Sequence, residues 1–157
     1  MDNSQQSLLA KGYKPKQHLP FSHKLHAGEL KMDCQYCHSA ARRSPVAGIP
    51  GTGTCMGCHR LVGPQEGPLA LLRKKHREKA PIPWVRVHDL PDYVRFSHEA
   101  HLRAKDPKGR PLFQCQHCHG PVEKMKELGQ WAPLQMGWCV QCHVKHKAPR
   151  DCSICHY

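Results

Sequence analysis

Cys34-Gln35-Tyr36-Cys37-His38 is the stretch on which the reading of this chain turns, because its pattern recurs four more times. The other copies are Cys55-Met56-Gly57-Cys58-His59, Cys115-Gln116-His117-Cys118-His119, Cys139-Val140-Gln141-Cys142-His143 and Cys152-Ser153-Ile154-Cys155-His156. Together they use all ten cysteines of the 157-residue sequence. C-x-x-C-H is the attachment signature of c-type haem. The two thiols add to the two vinyl groups of one porphyrin, and the histidine that follows binds the iron from below. Structural zinc is satisfied by four ligands and has no use for a histidine after every second cysteine, and a disulfide framework has none either. The motifs therefore predict five covalently bound haem c groups. The proximal iron ligands would be His38, His59, His119, His143 and His156.

Composition agrees with that reading. Hydrophobic residues make up 39% and aromatics 6%, with 12 glycines and 14 prolines. Such a chain lacks the material for a conventional apolar core or for long regular elements. The expected fold is mostly coil with short α-helices and little or no β-sheet, wrapped around a haem core. The formal charge of +12 is largely offset by about ten haem propionates, so the Lys and Arg residues are not a nucleic-acid footprint and no nucleic-acid partner is expected. No apolar run approaches the roughly 20 residues that cross a bilayer. Met1 to His18 lacks the apolar stretch of a secretory signal.

Nine histidines are not the closing residue of an attachment motif. Phe21-Ser22-His23-Lys24-Leu25-His26 precedes the first motif and Phe96-Ser97-His98-Glu99-Ala100-His101 precedes the third, each followed by C-x-x-C-H pairs. The recurrence reads as a tandem duplication with a fifth haem site appended to the second copy. Histidines at i and i+3 share a helix face, with Ser22 or Ser97 placed as N-cap, and can offer imidazoles to two neighbouring irons. Solvent-facing surface histidines are the plainer reading, and the shared flanks weigh against it. His117 sits inside its own attachment loop and cannot easily reach its own iron. His18, His76 and His146 are expected in solvent or near propionates.

The order F-x-H-x-x-H, C-x-x-C-H, C-x-x-C-H and a further C-x-x-C-H resembles the small class III multihaem cytochromes c of the c7 type. That resemblance implies distal ligands: His23 opposite His38, His26 opposite His59, His98 opposite His119 and His101 opposite His143. In that family another distal histidine stands just before the second attachment motif. Here the corresponding stretch is Leu134-Gln135-Met136-Gly137-Trp138, without one. Met136 is the expected replacement, giving a Met/His iron with His156 and a raised potential. His88 is the alternative ligand, and Met125 is as readily core filler.

From Leu19 to Cys142 the chain is similar to the pentahaem cytochrome c subunit of alternative complex III. The resemblance rests on Pro20-Phe21-Ser22-His23, Ala47-Gly48-Ile49-Pro50, Thr54-Cys55-Met56-Gly57, Trp84-Val85-Arg86-Val87-His88, Cys118-His119-Gly120-Pro121 and Met136-Gly137-Trp138-Cys139. It implies a membrane-bound quinol-oxidising respiratory complex. Its partners would be other subunits, including an iron–sulfur subunit, and a downstream cytochrome c or oxidase. The chain departs from that subunit in carrying no N-terminal membrane helix. Trimming, anchoring through partners and a soluble form all remain open. Haem attachment of this kind takes place outside the cytoplasm, so the expected location is periplasmic, peripheral on the extracytoplasmic membrane face.

Along the chain we expect a flexible arm over 1–18, a two-haem unit over 19–62, a linker over 63–95 and a three-haem unit over 96–157, organised by the cofactors as one domain. Leu69 to Lys79 reads as a basic amphipathic packing helix, with membrane-surface binding as the weaker reading. Pro121 to Leu128 reads as another short helix. The function expected is electron transfer, with no catalytic residues. A soluble or filament-forming multihaem carrier and a multihaem reductase are the rivals; the reductase would need a haem with a vacant distal position.

Overall fold

Two cysteines three positions apart must face one ring, and a single helical turn achieves this because residues i and i+3 share a face. The computed structural model, which describes residues 12–157, winds every attachment segment in this way. The helices are α1 (Lys24–Glu29, wound as a π-turn), α2 (Cys34–Cys37), α3 (Thr52–His59), α4 (Pro68–Arg77), α5 (His98–Arg103), α6 (Gln116–His119), α7 (Met136–Lys145) and α8 (Cys152–Cys155). A 3₁₀ turn, Val122–Lys124, lies between α6 and α7. The attachment motifs ride on α2, α3, α6, α7 and α8, and the two F-S-H-x-x-H segments on α1 and α5. Among the described residues there is no strand, only isolated bridges between Val94 and His156 and between Lys105 and Pro111. The fold is mostly coil with short helices, as expected of a small multihaem cytochrome c.

Helix α4 carries no attachment or repeat motif, and its ends are well specified. Pro68 opens it, Gly67 takes a positive φ of 66° before it, and Lys74, Lys75, His76 and Arg77 occupy its last turn, where the helix dipole favours cations. Leu72 is 2% exposed and forms a small core with Leu19 and Met56, flanked by Leu69, Ile82 and Trp84. His76 Nδ1 meets Thr52 Oγ1 of α3 at 3.2 Å. The helix expected over Leu69–Lys79 thus runs Pro68–Arg77, and its apolar side packs against α3. The remaining buried apolar side chains among the described residues are Ala41, Val87 and Ala132. That is very little for a chain of this length.

The two repeat units are seated on each other. In α1, Lys24 N donates to Met125 O at 2.9 Å, and Gly28 comes so close to the Glu123 carbonyl that a Cβ there would collide with it. In α5, His98 N donates to Pro45 O at 3.0 Å and Glu99 N to Ser44 O at 3.2 Å. Arg42 reaches across to Leu102 O at 2.9 Å. Each histidine-bearing helix therefore rests on backbone from the other unit. The helix expected over Pro121–Leu128 is cut to the 3₁₀ turn because Met125 turns extended (φ −92°, ψ 114°) and gives its carbonyl to Lys24.

Residues 1–11 of the expected flexible arm lie outside the described residues. The rest of it is tied down. Gly12 N donates to Gln130 O at 2.7 Å, and Gln130 N to Tyr13 O at 2.8 Å. The Gln17 amide pairs with both backbone groups of Val85 at 2.9 Å.

Candidate haem-binding centres

The two F-S-H-x-x-H segments share one local geometry. Ser22 Oγ accepts from Leu25 N at 3.1 Å and Ser97 Oγ from Ala100 N at 3.2 Å, so each serine caps its turn as the sequence predicts. The Phe21 ring meets His23 edge-on at 4.9 Å and stacks on His26 at 4.4 Å. Phe96 meets His98 edge-on at 4.9 Å and stacks on His101 at 4.6 Å. One phenylalanine thereby orients both imidazoles of its turn.

Metal-bound imidazole nitrogens sit at about 2.0–2.1 Å, with the ring centre about 1.1 Å behind, so two rings on opposite sides of one ion have centres about 6.2 Å apart. Three expected pairs match this spacing. His26 and His59 are 6.1 Å apart, His98 and His119 6.2 Å, and His101 and His143 6.1 Å. These separations are too long for direct ring packing and suit an iron between the rings. For the fourth pair, His23 and His38 lie within electrostatic reach of each other.

The second ring nitrogen supplies an independent test of fit. His26 and His101 donate Nδ1–H to the carbonyls of Ser22 (2.9 Å) and Ser97 (2.7 Å), one turn back. His38 donates to Gly48 O at 2.6 Å, His59 to Val62 O at 3.1 Å, His98 to Pro45 O at 2.9 Å, and His143 to Pro149 O at 2.6 Å. His156 donates to Tyr93 O at 3.3 Å. A carbonyl only accepts, so each Nδ1 must hold the proton, leaving the Nε2 lone pair for a metal. Metal-ligating histidines are commonly held this way. His117 behaves differently: its Nδ1 faces both Gln114 N at 3.0 Å and Gln114 O at 3.3 Å, within its own attachment loop. His18 is exposed, and the His146 ring packs edge-on to Phe113 at 5.0 Å.

Burial lowers the pKa of three rings, those of His23, His88 and His119. It lowers the pKa of His23 to about 4, with His38 and then His26 adding repulsion. It lowers His119 to about 3, with His88, His98, His38 and His23 contributing in that order. Neutral imidazole is the form that binds iron. His23 Nδ1 is buried without a hydrogen-bond partner, unlike the ring nitrogens above, and so is His88 Nε2; a metal on His88 Nε2 would relieve that atom, whereas one on His23 Nε2 would leave its Nδ1 as it is.

The fifth centre is assembled differently. His156 bridges to Val94, its ring lies 6.0 Å from the Tyr93 ring, and Arg95 N donates to Cys155 O at 2.8 Å. Met136 is the first residue of α7 and 70% exposed. His88 stands against the third centre, with its ring 4.4 Å from that of His119. Sequence reasoning missed Tyr93, whose position just before the second F-S-H-x-x-H was the available signal.

The ten cysteines are all unpaired. Burial raises the thiol pKa of Cys34, Cys55, Cys118 and Cys139, and thiols of other motifs add to it: Cys115 beside Cys34, Cys37 beside Cys55, Cys142 and Cys139 beside Cys118, and Cys155 beside Cys139. Among the described residues no three His, Cys, Asp or Glu side chains converge on a point that would hold a bare metal ion. Paired thiols with facing imidazoles fit iron porphyrin.

Comparison with known proteins points the same way. The chain is similar to a multihaem cytochrome c. The relative is the multihaem cytochrome c subunit of menaquinone reductase from Nitratidesulfovibrio vulgaris, 26% identical over 162 aligned positions, which cover 89% of this chain and 76% of that protein. No family model matches the chain. Among the described residues no helix is long and apolar enough to cross a membrane.

Proposed function

We propose that this chain is a pentahaem c-type cytochrome that carries electrons for a quinone-linked respiratory complex on the extracytoplasmic face of a membrane. The observation that carries the reading is the 6.1–6.2 Å separation of the pairs His26/His59, His98/His119 and His101/His143. When bound, each haem supplies an iron that cycles between ferric and ferrous. The chain's own residues do the rest. Ten thiols would anchor the haems, His38, His59, His119, His143 and His156 would hold the irons from one side, and His23, His26, His98 and His101 from the other. Four irons would thereby have a histidine on each side, which favours electron transfer over a reductase.

Met136 is the fifth distal ligand in this reading. It lies one turn before Cys139 on α7, and Cys139 lies beside Cys155 of the fifth motif. The contact of His88 with His119 disfavours the alternative. The Nitratidesulfovibrio relative, by its name part of a menaquinone reductase, supports quinone-linked partners. An alternative complex III-like assembly with an iron–sulfur subunit, and a downstream cytochrome c or oxidase, fits that role.

Intact-mass analysis with pyridine haemochrome quantitation of the purified protein tests the reading. Five haems per chain and no carbon monoxide binding by the reduced native protein are expected. Fewer haems, or a carbon monoxide adduct, would overturn it.

A further inference from the structure

The order of the five centres in space is not their order in the sequence. On one turn of α1, His26 faces His59 of the second motif at 6.1 Å while His23 is within electrostatic reach of His38 of the first, and Cys37 is likewise within reach of Cys55. Cys34 of the first motif lies beside Cys115 of the third. The third-motif His119 likewise feels His38 and His23 of the first centre. The same junction is fixed by backbone, since Pro45 O accepts from His98 N at 3.0 Å and from His98 Nδ1 at 2.9 Å. His98 and His101 on one turn of α5 face His119 and His143 at 6.2 and 6.1 Å, which sets the third centre next to the fourth; Cys118 is within electrostatic reach of Cys139 and Cys142 of the fourth motif, and Cys139 of Cys155 of the fifth.

We infer that the attachment sites form a line in the order second, first, third, fourth, fifth. The two repeat units meet through their first motifs, Cys34–His38 against Cys115–His119, so the second motif, Cys55–His59, is a terminus and not an internal relay. This rests on the pentahaem reading above. The route in the first unit then runs against the chain direction and in the second unit along it. A donor that delivers quinol-derived electrons and an oxidised acceptor protein would each meet one end, at His59 or at His156. Each hop passes one electron, oxidising one iron and reducing the next.

Nuclear Overhauser contacts between haem substituents in the fully reduced, diamagnetic holoprotein test the order. Cross-peaks between the first and third haems are expected, and none between the second and third. Contacts between the second and third haems, or none between the first and third, would overturn the order. A second measurement uses Cys55→Ser/Cys58→Ser in the full chain, followed by pulse reduction. Removal of a terminus should leave rapid equilibration among the four remaining haems, whereas Cys34→Ser/Cys37→Ser should isolate the second haem. Rapid equilibration lost in the first variant and kept in the second would sink the proposal. A haem count below five in the unmodified protein would instead defeat the pentahaem reading, so the two failures are distinguishable.

Discussion

A single carbonyl, that of Pro45, accepts from both the main chain and the ring of His98. The ring that faces His119 is therefore aimed by the other repeat unit. At His26 the same task falls to Ser22 O within its own turn. Replacing His26 by alanine should open one axial position opposite His59. The reduced variant is expected to bind carbon monoxide with the absorbance of one haem, and an unreactive variant would count against the pairing. The fifth centre makes a different demand. Near-infrared charge-transfer spectra of the oxidised protein should contain a His/Met component that Met136→Ala abolishes and His88→Ala leaves in place. Loss of that component in the His88 variant would reassign the ligand.

At the scale of elements, the short helices depend on their ends and on a few contacts. Removing the Ser97 hydroxyl leaves a first-turn donor of α5 without its cap, and Ser97→Ala should cost about 0.5–2 kcal/mol in denaturant unfolding of the holoprotein. Leu72→Ala removes the most enclosed apolar side chain of the α3–α4 core and should cost about 2–5 kcal/mol in the same measurement. The attachment turns, the serine caps and α4 were legible in the sequence because each rests on side chains at fixed spacing. The seating of α1 on Met125 and of α5 on Pro45 was not legible, because a backbone carbonyl has no residue signature. The same blindness stretched the turn at Val122–Lys124 into a longer helix. It also left residues 12–18 looking loose, although Gln130 holds Gly12 and Tyr13 by main-chain bonds and Val85 holds the Gln17 amide, contacts visible only once the chain is folded.

For the whole molecule the sparse interior has a direct consequence. Leu19, Ala41, Met56, Leu72, Val87 and Ala132 are the buried apolar side chains among the described residues, far short of what would offset the conformational entropy of ordering the chain. In the proposed pentahaem protein, burial of the macrocycles would be the missing contribution. Expressed without haem attachment, the chain should show little helical circular dichroism and an expanded hydrodynamic radius. A folded apoprotein of native size would contradict this. At this scale the proposed ligands come from five motifs and one repeat in the sequence, whereas the proposed linear order of centres needed the fold, since it depends on which motif of one unit faces which motif of the other.

The angles between facing imidazoles add a property of their own. The planes of His98 and His119 are nearly parallel, at 6°, whereas those of His26 and His59 cross at 67° and those of His101 and His143 at 53°. Coplanar rings split the iron dπ orbitals along one shared direction, and crossed rings leave them closer to degenerate. The ferric third centre should therefore give a rhombic paramagnetic resonance signal and the second a far more axial one, which marks individual irons by magnetism alone, with no isotope and no substitution.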